Sequence, residues 1–134
     1  MANEYTKDSI ESLDPREHVR LRPGVYAGDT SNPNHLLLEI FSNALDEHNI
    51  GHGNIIRVDI KDDGWCQVED AGQGFPINEM REDGHTVLEA AFSVMNTSGK
   101  FRDDGVYEGS SLGLNGMGSK LTNFLSSEFV VMSW

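Results

Sequence analysis

The chain has one cysteine, Cys66, so no intrachain disulfide can form and a reducing compartment is the expectation. Positive charge is scarce as well: Lys and Arg number 10 against 22 Asp and Glu, a formal net charge of −12. Such a surface repels a nucleic-acid backbone, so this chain alone is a poor grip for DNA or RNA. Any work on DNA would need another domain to hold it. No apolar run is long enough to cross a bilayer, and the polar N-terminus has no signal-peptide core. A cytoplasmic protein with no membrane partner is therefore expected. No His/Cys cluster has zinc-like spacing, and no segment repeats. A cation site around Asp62 and Asp63 would need an Asp-x-Asp-x-Asp-Gly loop, which is also missing.

What is present is enough for one soluble domain with a core: 134 residues, 37% hydrophobic and 24% charged. Residues 1–13 read as an arm, polar at first, in which Ser9 to Leu13 could form a helical turn. Asp14-Pro15 reads as a cap and first position of a helix that stops before a turn at Pro23-Gly24. Asn32-Pro33 repeats the signal and opens the main helix, to about Ile50. Ile55 to Ile60 and Trp65 to Glu69 read as strands joined by a tight turn at Asp62-Asp63-Gly64. Thr86 to Met95 and Gly116 to Leu125 read as helices, with a polar, glycine-rich stretch from Asn96 to Leu112 between them and a closing strand from Glu128 to Trp134. This order predicts an α+β fold: a two-layer sandwich, its mixed, mostly antiparallel sheet covered by helices on one face.

Three segments carry chemistry. On the main helix, Leu37, Ile40, Phe41, Ala44, Leu45 and His48 share an apolar side, with His48 a packed or edge residue. Glu39, Ser42, Asn43, Asp46 and Glu47 share the other. That side is either a solvated face or a site: Glu39 and Asn43, at i and i+4, could hold a water and a hydrated Mg²⁺ against a phosphate chain. In the second segment, Asp70-Ala71-Gly72-Gln73-Gly74 follows a strand directly. It is either an ordinary turn or a place where Asp70 accepts from an adenine amino group beside bare backbone. In the third, the loop from Gly109 to Leu121 runs into a helix, with Gly113, Gly116 and Gly118 lacking side chains. Such a loop is a turn or a phosphate cradle at a helix N-terminus. Cys66 reads as a small core or edge residue of a strand.

Taken together and in this order, the segments resemble the Bergerat (GHKL) ATP-binding fold. The chain closely resembles the ATPase domain of type II DNA topoisomerases, the gyrase B and topoisomerase IV B subunits. Arg20-Leu21-Arg22-Pro23-Gly24-Val25-Tyr26-Ala27-Gly28-Asp29 is similar to the family's opening motif. His35 to Glu47 resembles its catalytic helix, Ser98-Gly99-Lys100-Phe101 its lid, and Gly113 to Gly118 its phosphate loop. The resemblance implies ATP and Mg²⁺ as cofactors, Glu39 as the general base, Asn43 as the metal ligand and Asp46 as its neighbour at the nucleotide. It implies Asp70 as the adenine reader, with Gly72 and Gly74 in its loop. Lys100 and Tyr107 would stand in a lid over 96–112, and Gly113, Leu114, Asn115, Gly116, Met117 and Gly118 would cradle phosphate. Tyr5 and Ile10 lie where the family has an arm reaching over a partner subunit. A homodimer clamping DNA is implied for the parent protein, through domains not in this chain, while the chain itself could be monomeric.

The sequence departs from the bacterial pattern at two places. Leu112 replaces a second glycine, so the loop looks more like the eukaryotic or phage version. Gln73 stands where bacterial gyrases commonly have Arg, so sensitivity to drugs that stack there is not implied. The family's domain also continues past the point matched by Trp134, with a strand carrying an adenine-reading Thr and a transducer domain whose lysine meets the γ-phosphate. An N-terminal portion of a longer protein, slow or inactive in hydrolysis, is therefore expected. The rival readings are another GHKL ATPase (chaperone, mismatch repair, histidine kinase) and a non-catalytic nucleotide-binding module.

Overall fold

The computed structural model describes residues 14–95 and 117–134. The N-terminal arm, the lid and the loop through Gly116 lie outside them. The described elements are helices α1 (Pro15–Leu21), α2 (Pro23–Ala27) and α3 (Asn34–Asn49), strands β1 (Ile56–Ile60) and β2 (Cys66–Asp70), then helices α4 (Val87–Ser93) and α5 (Gly118–Leu125).

Pro15 opens α1 as its fixed φ suits a first helical position. Asp14 caps by its backbone alone: its carbonyl accepts from His18 N–H at 2.9 Å, and its side chain makes no cap bond. Pro23-Gly24 is not a turn but the start of α2. The one-turn helix is held from outside, as Tyr26 packs on the core and its hydroxyl hydrogen-bonds His18 Nδ1. Tertiary contact here outweighs the local Pro-Gly signal. At the start of α3 the Asn32 side chain accepts from Asn34 N–H at 3.0 Å, and the helix runs uninterrupted to Asn49.

The two strands pair antiparallel, with Ile56 opposite Asp70, Val58 opposite Val68 and Ile60 opposite Cys66. Gly64, at φ 91°, makes the turn a type that L side chains rarely adopt, and Asp63 accepts from Trp65 N–H. Cys66 is exposed. A capping box fixes the start of α4: Thr86 accepts from Glu89 N–H, and Glu89 accepts from Thr86 N–H.

Helix α5 is the hub. It touches α1, α2, α3 and α4, while α3 bridges it to the hairpin. Val19, Leu121 and Phe124 form the buried core, flanked by Tyr26, Met95, Met117 and Leu125. The helices and a single hairpin agree with an α+β arrangement. The closing strand, however, has no ladder partner among the described residues. From Glu128 to Trp134 exposure alternates as in a strand, with Phe129, Val131 and Ser133 the less exposed. Without a neighbouring strand the segment is anchored by side chains instead: Phe75 N–H donates to Ser133 Oγ at 2.9 Å, and Phe129 stacks near Phe92, which meets Phe75 edge-on. No described helix is long and apolar enough to cross a membrane.

Candidate functional site

Helices α3 and α5 bring two of the sequence-selected residues into contact. A Cβ placed on Gly118 would collide with the Glu39 carboxylate, lying 2.7 Å from its Cδ and 3.1 Å from its Cβ. Glu39 therefore rests on bare backbone at the first residue of α5, where unpaired N–H groups and the positive end of the helix dipole lie. Met117, in the N-cap position, supplies no side-chain bond to that turn. Asn43 stands one turn after Glu39, half-buried and already engaged in the fold. Asp46 corrects the amphipathic reading of α3. It is 0% exposed and partnered inside the protein, not on an open polar face. His48, expected as a packed or edge residue, is exposed at the helix end, with Nδ1 donating to Gly53 O at 3.2 Å.

The second part of the site is the loop after β2. Gly72 N–H donates to Asp70 Oδ1 at 2.8 Å, which folds the loop back and fixes the carboxylate at the strand end. A Cβ on Gly72 would meet both that oxygen and the Glu47 side chain, so the glycine is needed for closeness. Gly74 sits as tightly against Ser133 Oγ. Because α3 packs on β2, the Asp70 loop lies at the C-terminal end of the helix that carries Glu39.

Several contacts of this region escaped the sequence reading. Glu47, two turns after Glu39, backs Gly72, and His52 Nδ1 donates to its Oε2 at 3.1 Å. Spacing of i, i+4, i+8 was the available signal. His35 lies one turn before Glu39. Its Nδ1 donates to Asn32 O, and its buried Nε2 has no partner among the described residues. Gly53 presses on the backbone of Ala71 and Gly72. Lys120, in the first turn of α5, is 1% exposed, and burial, with the Arg81 guanidinium adding to it, holds its ammonium below the ordinary lysine value. Lys100, Tyr107, Gly113, Leu114, Asn115 and Gly116 lie outside the described residues. Among the described residues no group of three or more His, Cys, Asp or Glu could hold a metal.

A family profile described as histidine kinase-, DNA gyrase B- and HSP90-like ATPase matches residues 28–131. The chain belongs to this ATPase family. Its α3, hairpin, α4 and α5 all fall within the matched span. The DNA gyrase B protein of Thermotoga maritima is 40% identical over 124 residues, 91% of this chain. The DNA topoisomerase 4 B protein of Staphylococcus aureus is 41% identical over 126 residues, 92% of this chain. In both cases the chain spans 19% of the relative's length.

Proposed function

We propose that this member of the ATPase family is the nucleotide-binding part of an ATP-hydrolysing type II DNA topoisomerase of the gyrase B and topoisomerase IV B kind. The observation that carries the reading is the Glu39 carboxylate lying on Gly118 at the N-terminus of α5. A base is thereby held beside a place suited to a phosphate chain.

In this reading Glu39 takes a proton from the water that attacks the γ-phosphorus. The new oxygen–phosphorus bond forms as the bond to the bridging oxygen breaks, and ADP and phosphate leave. A positioned base of this kind contributes roughly 10²–10⁴-fold. The backbone of Met117 and Gly118 receives phosphate, continued by Gly113, Leu114, Asn115 and Gly116, with Lys100 and Tyr107 from the lid. The residues present suit Mg²⁺ held by phosphate oxygens and water, because Asn43 offers one neutral oxygen ligand and no carboxylate cage competes among the described residues. When bound, that ion would neutralise phosphate charge. Asp46 buttresses this helix from inside. Asp70 Oδ1 accepts from Gly72 N–H, which leaves Oδ2 to accept from the adenine amino group, with Gly72 and Gly74 letting the loop fold this closely. Dimerisation and capture of DNA would belong to the rest of a protein of the relatives' length.

Calorimetric titration with a non-hydrolysable ATP analogue and Mg²⁺, beside Asp70→Asn, tests the reading. Binding by the wild-type chain, weakened in Asp70→Asn by roughly 1–3 kcal/mol, is expected. Unchanged affinity in the variant, or no binding by a folded wild-type chain, overturns it.

A further inference from the structure

The contact between Glu39 and Gly118 joins residues 79 positions apart, so something must fix α5 against α3 in one register. Shape alone is a weak guide, because α5 is short and its first residue has no side chain to interlock. The Thr122 hydroxyl lies where it can do this. Its Oγ1 is 3.0 Å from Leu36 O, in the first turn of α3, and 2.9 Å from Gly118 O, one turn back on its own helix. Thr122 itself is 7% exposed. One hydroxyl proton is shared between two carbonyls. One of those carbonyls lies three residues before Glu39, and the other belongs to Gly118 itself. The same oxygen thus stitches together the two backbone segments whose closeness defines the site.

We propose that Thr122 is a positioning residue for Glu39: its hydroxyl holds the first turn of α5 against α3 and keeps the carboxylate on Gly118. Two other side-chain ties of this helix act elsewhere. Asn123 Nδ2 donates to Phe92 O of α4 at 2.9 Å, and Arg20 reaches the far end of the helix at Phe124 O and Ser126 O. Those hold α5 in the fold without setting its register on α3. A hydroxyl that bonds only back onto its own helix adds little and tends to bend it; this one also reaches across to a second helix at the site.

The importance of Thr122 for hydrolysis rests on the proposed function, but its test needs no nucleotide. Amide ¹H–¹⁵N spectra of the chain are compared for wild type and Glu39→Gln, each repeated in Thr122→Val and Thr122→Ser backgrounds. Thr122→Val keeps the shape and removes the hydroxyl, whereas Thr122→Ser keeps the hydroxyl. Glu39→Gln is expected to move the Gly118 amide signal strongly in wild type and in Thr122→Ser, and much less in Thr122→Val. An equal response in Thr122→Val overturns the proposal, since a merely structural threonine would lower the melting temperature and leave this coupling intact. If Thr122→Val does not fold, Thr122→Ala against Thr122→Ser gives the same contrast, and the same two results support or overturn the proposal. Failure of the nucleotide titration would remove the functional reading alone, and an unaltered Gly118 response would remove this one alone.

Discussion

Around α5 the protein is dense, and along the hairpin it is open. Leu121, Thr122 and Phe124 are all buried, as are Ser119 and Lys120, whereas Val58 is 46% exposed, Ile60 67% and Trp65 42%. Both regions carry part of the same candidate site. The Glu39–Gly118 contact is made by helices pressed together over a shared core. The Asp70–Gly72 contact is made by a loop folding on itself at an exposed strand end. Glu39 is therefore placed by packed helices and Asp70 by local hydrogen bonding, and the two should fail under different insults.

The sharpest way to break this contrast is to truncate one apolar side chain in each region. Phe124→Ala is expected to destabilise the chain by about 3–4 kcal/mol through lost packing and a cavity. Val58→Ala should cost less than about 1 kcal/mol, since half of the side chain is already in water. Chemical denaturation of both variants decides, and equal losses would mean the hairpin is as structural as α5.

Two glycines sharpen it further. At Gly53, φ is 77°, and a Cβ would strike the Ala71 carbonyl and lie 3.0 Å from Gly72 N. Backbone cannot swing aside, so Gly53→Ala should cost about 2 kcal/mol. At Gly118 the nearest obstacle is the flexible Glu39 carboxylate, with the Glu39 Cβ at 3.1 Å behind it. Gly118→Ala should change stability by less than about 1 kcal/mol while expelling Glu39 from the helix end. A melting curve with a crystal structure of each variant distinguishes the two, and an unmoved Glu39 in Gly118→Ala would refute this packing.

The smallest effect concerns acid. The Arg81 hydrogen bond, with His85 N–H, holds the Asp83 carboxyl below its ordinary value of 3.8. A lowered carboxyl favours the fold above pH 3.8, and that help fades as pH falls through the lower folded value. Asp83→Asn should lower stability slightly above pH 3.8, neutral pH included, and the two proteins should converge as pH falls through the lower folded value. Asp83 lies at the surface, so thermal melts across the window should show a small change.

The legible parts of the fold were those set by local spacing. Glu39 and Asn43 could be placed on one stripe because a helix repeats every 3.6 residues, and the hairpin could be placed because Asp63-Gly64 fixes its turn. The helix opening at Thr86 belongs to the same class, although the capping box of Thr86 and Glu89 that fixes its start was not read from the sequence. What could not be read is non-local. Asp46 looks solvent-facing on a helical wheel, but the fold buries it completely. Pro23-Gly24 signals a turn, and packing of Tyr26 makes it a helix. The closing segment has strand-like alternation, but a strand exists only with a neighbour, and its described ties are side-chain bonds to Phe75 and stacking on Phe92. The contacts of Glu47 became visible only in the fold, where Gly72 lies against it and His52 donates to its carboxylate.

The reach of Arg20 has a consequence for how the molecule is made. Its guanidinium donates to Phe124 O at 2.6 Å and Ser126 O at 3.0 Å, across 104 and 106 residues of chain. During synthesis α1 and α3 leave the ribosome long before the helix that covers them. Until residue 126 has emerged, Val19 lacks Leu121 and Phe124, and Glu39 has no helix end to rest on. The piece that completes the site is thus the last described helix to be born, and a nascent chain stalled before it would carry the Glu39 carboxylate with no helix end to rest on.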